Sequence, residues 1–179
     1  MPTPTPFDHD AALRACARGE QQALRALYEH EARWLLGVAL RIVRNRQAAE
    51  DVLHDAFLGI WQGAAGFDAR LGSGRGWVYT VVRHAALNHA RRASREVAAD
   101  EETLEPLLQA AAPEDPGPFD AGSLERCLTA LEEPRRRAIV HAFVDGYNHA
   151  QIAACMQAPL GTVKSWIRRG LLSLKACLS

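Results

Sequence analysis

The apolar residues of this chain recur every three to four positions through most of its 179 residues, and this spacing constrains the fold more than any other feature. Such spacing predicts amphipathic α-helices, and we find no convincing stretch of the strict alternation that predicts a strand. Five glycines between residues 63 and 76 predict a loop. The helices are expected at about residues 8–18, 20–43, 46–61, 77–95, 121–132, 134–144, 148–155 and 159–177. We therefore expect an all-α fold.

The charge of the chain changes sign twice along its length, although the total is zero. Residues 1–96 carry 13 basic and 10 acidic side chains. Residues 97–133 carry one basic and 10 acidic side chains, and residues 134–179 carry seven basic side chains and one acidic one. Residues 97–119 are also rich in proline and have little to bury. We therefore predict two small helical domains, 1–96 and 120–179, joined by a flexible acidic linker at 97–119. Two basic modules are typical of a nucleic-acid-binding protein.

The start of the sequence and its short apolar runs predict a cytoplasmic protein. The first residues, MPTPTPFDHD, have neither the basic nor the apolar segment of a secretory signal. No apolar run approaches the roughly 20 residues that cross a bilayer.

Four cysteines, Cys16, Cys127, Cys155 and Cys177, are widely separated and show no C-x-x-C spacing, so no metal site is expected. In a reducing compartment they are expected to be free thiols packed as small hydrophobic groups. A redox pair among the last three is the alternative.

The strongest local signal is the C-terminal stretch YNHAQIAACMQAPLGTVKSWIRRGLLSL, which predicts a helix-turn-helix. Asn148 can cap the first of its helices, and residues 156–160 form the turn. In the second helix Val163, Ile167 and Leu171 are expected inward. The other faces carry polar and aromatic side chains suited to bases and phosphates. An ordinary helical hairpin with a solvated basic face is the alternative.

The third and fourth helices offer two further kinds of surface. The third carries carboxylates on one side beside apolar side chains, which suits a partner of opposite charge; acids that are merely solvated are the alternative. The fourth combines aromatic rings with arginines, the mixture that single-stranded DNA requires.

Taken together, these blocks resemble the extracytoplasmic-function (ECF) sigma factors of the sigma-70 superfamily, in the family's order from about residue 10 to residue 175. AAEDVLHDAFLGIW resembles region 2.2, which docks on the polymerase clamp, and GRGWVYTVVRHAALNHARR resembles regions 2.3 and 2.4, which melt and read the −10 promoter element. LTALEEPRRRAIVHAFVDGYNHAQIAACMQAPLGTVKSWIRRGLLSL resembles region 4, whose helix-turn-helix reads the −35 element. Residues 97–119 correspond in position and in negative charge to the acidic linker of this family, which runs through the polymerase active-site cleft.

The resemblance implies a transcription initiation factor rather than an enzyme, without a cofactor. It implies core RNA polymerase (clamp and flap), promoter DNA and an anti-sigma factor as partners. The residues expected to contact duplex −35 DNA are Thr162, Lys164, Ser165, Trp166, Arg168 and Arg169. Those expected to contact the melted −10 strand are Arg75, Trp77, Tyr79, Arg83, Asn88, Arg91 and Arg92. Those expected to bind polymerase are Glu50, Asp51, His54, Asp55, Phe57, Leu58 and Trp61.

Two positions depart from the family pattern. Trp166 stands where relatives often carry arginine, and the loop of residues 63–76 is unusually rich in glycine. The promoter sequence therefore does not follow from the resemblance.

Two other classes of protein remain as alternatives. An enzyme would need a catalytic constellation, and the chain has no H-E-x-x-H, no phosphate-binding Gly-Lys motif and no G-x-S-x-G. A stand-alone helix-turn-helix regulator would bind duplex DNA by itself as a dimer. It would also need a sensing pocket in the first half, where this chain has an acidic helix and an arginine-aromatic helix.

Overall fold

A computed structural model describes residues 7–98 and 121–179, and within these ranges every regular element is helical. The α-helices are α1 (His9–Ala17), α2 (Gln21–Val43), α3 (Arg46–Gly63), α4 (Gly74–Ala98), α5 (Ala121–Thr129), α6 (Glu133–Phe143), α7 (His149–Met156) and α8 (Leu160–Leu178). The all-α prediction is confirmed. The helices divide into two compact units, which we call unit 1 (α1–α4) and unit 2 (α5–α8). Apart from residues 97 and 98, which end α4, the predicted linker at 97–119 lies outside the described residues.

Unit 1 is built on helices α2, α3 and α4, which pack against one another around a shared apolar core. Leu35 of α2, Ile60 of α3 and Val78 of α4 are fully buried in it. The apolar spacing of α2 predicts that both Leu27 and Tyr28 face inward. The prediction is confirmed for Leu27, which is fully buried, and is wrong for Tyr28, whose side chain is 45% exposed. Successive helical residues differ by about 100° in direction, so the helix turns Tyr28 away from the core position of Leu27.

Helix α1 fixes the start of α4 across 64 residues of sequence. The carboxylate of Asp10 accepts a hydrogen bond of 2.6 Å from the backbone N–H of Gly74, the first residue of α4. An N–H in the first turn of a helix has no partner within the helix, so this carboxylate stabilises the start. Helix α4 consequently begins three residues before the predicted start at Trp77. The expected loop is shortened further by a 3-10 turn at Ala64–Gly66.

Unit 2 contains the predicted helix-turn-helix in α7 and α8. Asn148 accepts a hydrogen bond of 2.8 Å from the N–H of Gln151, and the Gln151 side chain accepts one of 2.8 Å in return. This reciprocal capping box confirms Asn148 as the cap. Helices α6 and α8 cross closely at Gly170, where an added Cβ would lie 2.5 Å from Cδ1 of Ile139.

The cysteines differ from the expectation of four free thiols. Cys127 of α5 and Cys177 of α8 form a disulfide with their Cα atoms 5.9 Å apart, so two of the four are paired. Tertiary packing of α5 against α8 brings them together over a sequence separation of 50. Cys16 is buried and free, and Cys155 is exposed and free.

Candidate nucleic-acid and polymerase-binding surfaces

The first three turns of α8 separate a buried face from a basic face. Val163 is fully buried and Ile167 is 7% exposed in the core of unit 2. The long cationic side chains between them, Lys164, Arg168 and Arg169, are exposed. Because the buried residues fix the rotation of the helix, the cationic side chains are held on its outer side. This is the geometry that a helix entering a major groove requires.

The other residues expected on the −35 surface are less open. Thr162, Ser165 and Trp166 are half-buried, and the Trp166 ring packs against the core of unit 2. The indole is therefore shared between solvent and the interior of unit 2.

Helix α8 also affects the beginning of α7. The pKa of His149, the first residue of α7, lies below its usual value because neighbouring atoms desolvate the ring and Lys164 is positively charged. The ring therefore stays neutral over a wider pH range than a free histidine, and the positive charge of this corner comes from Lys164.

The predicted −10 residues of α4 occupy several environments. Arg75 and Arg92 are exposed, whereas Trp77, Tyr79, Arg83, Asn88 and Arg91 are half-buried. The Trp77 ring packs edge to face with Phe67 of the preceding loop, with ring centroids 6.0 Å apart, and it contacts the core of unit 1. Trp77 thus holds the loop against α4. Farther along the helix, Asn88 accepts a hydrogen bond of 3.2 Å from Arg91.

The sequence analysis did not single out Trp34 of α2, which joins this surface. Its indole is 39% exposed and stacks on Tyr79 of α4, with centroids 5.7 Å apart and planes 27° apart. The guanidinium carbon of Arg75 lies 4.7 Å from the Trp34 ring centroid. Two aromatic rings and a cation from two helices therefore form one cluster. No periodic signal could identify it, because it depends on how α2 packs against α4.

Glu31 contacts this cluster through Arg75. Among the described residues it is the one charged side chain that is buried, at 1% exposure. One carboxylate oxygen lies 2.7 Å from His9 Nε2, 2.9 Å from His30 Nδ1 and 3.6 Å from Arg75 Nε. Burial alone would raise the pKa of Glu31, but these hydrogen bonds and the Arg75 charge outweigh it and lower the pKa.

His9, His30 and Glu31 are also the group of described residues whose ligand atoms come close enough for a metal, within 4.8 Å. Both histidines contact the same oxygen of Glu31, and Arg75 supplies a positive charge beside it. The carboxylate is therefore already compensated, and we assign the cluster a structural role.

The exposed face of α3 carries the predicted polymerase-binding residues, with two exceptions. Asp51, His54, Asp55 and Leu58 are exposed at the spacing of one helix face, and Leu58 is 48% exposed. Glu50, also exposed, pairs with Arg46 at 2.9 Å. Trp61 is half-buried. Phe57 was expected to offer an apolar anchor, but it is 5% exposed and packs edge to face on Tyr28. It belongs to the core, so Leu58 is the open apolar side chain of this face.

Each of the two units matches a known family of protein domains. Residues 27–96 match the family model of Sigma-70 region 2, and residues 121–174 match that of Sigma-70 region 4. The ECF RNA polymerase sigma factor SigK of Mycolicibacterium vanbaalenii is 30% identical over 175 residues, covering 94% of this chain and 88% of that protein. SigK of Mycobacterium tuberculosis H37Rv is 28% identical, covering 96% and 94%. The structure of CnrH in complex with the cytosolic domain of CnrY has a TM-score of 0.43 and 21% identity, covering 96% and 97%.

Two helical units that match Sigma-70 regions 2 and 4, the second containing a helix-turn-helix, define a DNA-binding transcription initiation factor rather than an enzyme. The matched family models and relatives establish the particular class: the chain belongs to the ECF sigma factors of the sigma-70 family. It is an alternative sigma factor that acts with RNA polymerase at promoters in transcription initiation. None of the helices in residues 7–98 and 121–179 has both the length and the apolarity of a membrane span.

Proposed function

We propose that α8 reads the −35 element as duplex DNA, that α4 and the loop before it bind the melted −10 element, and that the acidic face of α3 docks on the clamp of core polymerase. The observation that carries this proposal is the division of α8 into a buried apolar face and an exposed cationic face. The protein would act in the cytoplasm, with the polymerase.

On α8, Lys164, Arg168 and Arg169 are the primary DNA contacts. Their exposure leaves them able to reach guanine acceptors or phosphate oxygens. Thr162 and Ser165 can donate hydrogen bonds from the same part of the helix, and the exposed portion of Trp166 can contact a thymine methyl group or a sugar.

On α4, the proposal is that Arg75 and Arg92 attract the single-stranded backbone and that the aromatic rings stack with bases. Trp34 belongs with this set because it is stacked on Tyr79 and lies under Arg75. Asn88 and Arg91, already bonded to each other, would act as a pair. Arg83 and Trp77 would position the surface from its half-buried side.

On α3, Asp51 and Asp55 supply negative charge around the exposed Leu58. An apolar side chain surrounded by carboxylates suits a basic partner surface with an apolar pocket. Glu50 and His54 extend the same face, and the exposed part of Trp61 lies three residues beyond Leu58.

For the linker, the proposal rests on the family resemblance and on the negative charge of the segment. Residues 97–119 are acidic and would occupy the polymerase active-site cleft. Replacing Asp100, Glu101, Glu102 and Glu105 with serine should leave polymerase binding intact and alter early RNA synthesis. Unchanged transcription would show that the acidity serves solubility.

An anti-sigma factor that covers the basic surfaces is proposed as the regulator, and contact of region 4 with the polymerase flap as a second docking point. The proposal rests on family membership. A purified complex that left both DNA-contacting surfaces open would contradict it.

The deciding experiment is co-purification with bacterial core RNA polymerase followed by run-off transcription from a promoter library. Lys164→Ala should weaken binding of the holoenzyme to promoter DNA and lower the slope of log affinity against log salt by about one. Lys175→Ala is the matched control, because it removes an exposed lysine from the last turn of the same helix. Equal effects of the two variants would contradict the assignment of α8. Binding to duplex DNA without any polymerase association would indicate a stand-alone regulator.

A further inference from the structure

Cys155 lies outside the surfaces assigned above and is exposed on α7. Its sulfur is 3.9 Å from Nε2 of His141, which projects from α6. This is a hydrogen-bonding distance for a sulfur atom. An exposed thiol beside an imidazole is a nucleophile beside a base.

A third group fixes the imidazole. The carboxylate of Asp145 lies 2.7 Å from the other ring nitrogen of His141, Nδ1. An ionised carboxylate only accepts hydrogen bonds, so Nδ1 carries the hydrogen and Nε2 of the neutral ring keeps its lone pair toward the sulfur. The ring of Tyr147 stacks on His141 with centroids 5.6 Å apart and planes 15° apart, which limits rotation of the imidazole.

The turn after α6 holds Asp145 and Tyr147 in these positions. The N–H of Asp145 donates to the carbonyl of Val140 at 3.1 Å, and the N–H of Tyr147 donates to the carbonyl of His141 at 2.9 Å. Gly146 between them has a φ of +66°, a left-handed conformation that favours glycine. The backbone therefore sets the arrangement, rather than chance rotamers of exposed side chains.

We propose that Cys155 is a thiol-modification site whose reaction partner is a low-molecular-weight disulfide. The thiol proton moves from Sγ to Nε2 of His141, and the thiolate attacks one sulfur of the disulfide. A new sulfur-sulfur bond forms at Cys155 as the old one breaks, and the leaving thiolate takes the proton from His141. Cys155 is thereby oxidised and the departing half of the disulfide is reduced to a thiol. Asp145 is the positioning residue. The adduct lies two residues before Gln157, where the turn into α8 begins.

The test exposes the full-length protein to glutathione disulfide and follows each cysteine by peptide mass mapping. Cys16 is an internal control, because it is buried and burial raises the pKa of its thiol. His141→Gln is expected to slow modification of Cys155 by at least about tenfold, because the general base is lost. Asp145→Asn should slow it by a smaller factor. His149→Gln, which changes the other histidine of unit 2, is the matched control and should have no effect.

Amide hydrogen exchange verifies that each variant keeps the fold of unit 2. A folded His141→Gln variant whose Cys155 reacts at the wild-type rate would overturn the proposal. So would a wild-type Cys155 that reacts no faster than the same cysteine in an unfolded peptide of the α7 sequence. Neither outcome would change the assignment of the DNA-binding surfaces, since the proposal for Cys155 depends only on α6, α7 and the turn between them.

Discussion

Replacing Cys177 with serine opens a covalent loop that ties α5 to the end of α8 over a sequence separation of 50. Closing a loop of that length removes conformational entropy from the unfolded chain worth about 4 kcal/mol at room temperature. The stability of a domain as small as unit 2 is itself about 4–11 kcal/mol. We therefore expect Cys177→Ser to lower the stability of unit 2 to roughly 0–7 kcal/mol. Chemical reduction of the wild-type protein should have the same effect.

Native-state amide hydrogen exchange of the full chain measures this loss one helix at a time. A loss of about 4 kcal/mol corresponds to roughly a thousandfold faster exchange of the best-protected amides. We expect this acceleration in α6 and α8 and no change in α2 and α3 of unit 1. Cys155→Ser is the matched control, because it removes an exposed thiol from the same unit. Acceleration by less than about tenfold in α6 would refute the loop-entropy argument.

Three further changes test other parts of the structure. Gly170→Ala should cost unit 2 about 1–3 kcal/mol in urea unfolding, because the added methyl group meets Ile139, whereas Gly161→Ala, where the space is open, should not. Leu58→Ala should weaken binding to core polymerase about tenfold or more with little loss of stability, whereas Phe57→Ala should cost about 3–5 kcal/mol of stability. A destabilising Leu58→Ala with unchanged polymerase binding would contradict the assignment of α3. Because the folded-state pKa of Glu31 is lowered, its contribution to the stability of unit 1 is complete above the ordinary glutamate pKa and is lost as the pH falls through the lower folded-state value. Glu31→Gln should remove that part of the pH dependence in acid-unfolding curves, and an unchanged curve would contradict it.

The features that sequence analysis predicted are those set by local spacing. The alternation of Val163 and Ile167 with Lys164 and Arg168 lies within three turns of one helix, so a period of 3.6 residues predicts which side chains are buried. Asn148 likewise caps α7 through a partner only three residues away. For such features the chain needs no tertiary contact to define the pattern, and the sequence was sufficient.

The features that were missed depend on contacts between distant segments. The early start of α4 depends on Asp10. A pair among the last three cysteines was the alternative that the sequence left open, and which two are joined, Cys127 and Cys177, depends on the packing of α5 against α8. The sequence around Glu31 predicts an ordinary surface acid, and only the fold shows that His9 and Arg75 lie beside its carboxylate. Periodicity carries no information about such pairs, because their spacing in the sequence is unrelated to their distance in space.

Two of the missed contacts lie next to the proposed −10 surface, because Asp10 bonds the first residue of α4 and Glu31 pairs with Arg75. A side chain that must meet DNA has to be exposed, so its orientation is set by the residues behind it. Arg75 shows this most clearly: Glu31 lies 3.6 Å from its guanidinium, and that carboxylate is in turn held by His9 from α1. Helix α1 carries no predicted DNA contact, yet Asp10 fixes the first residue of α4 and His9 fixes the acid that orients Arg75. The proposed −10 surface therefore depends on α1 as well as on its own arginines.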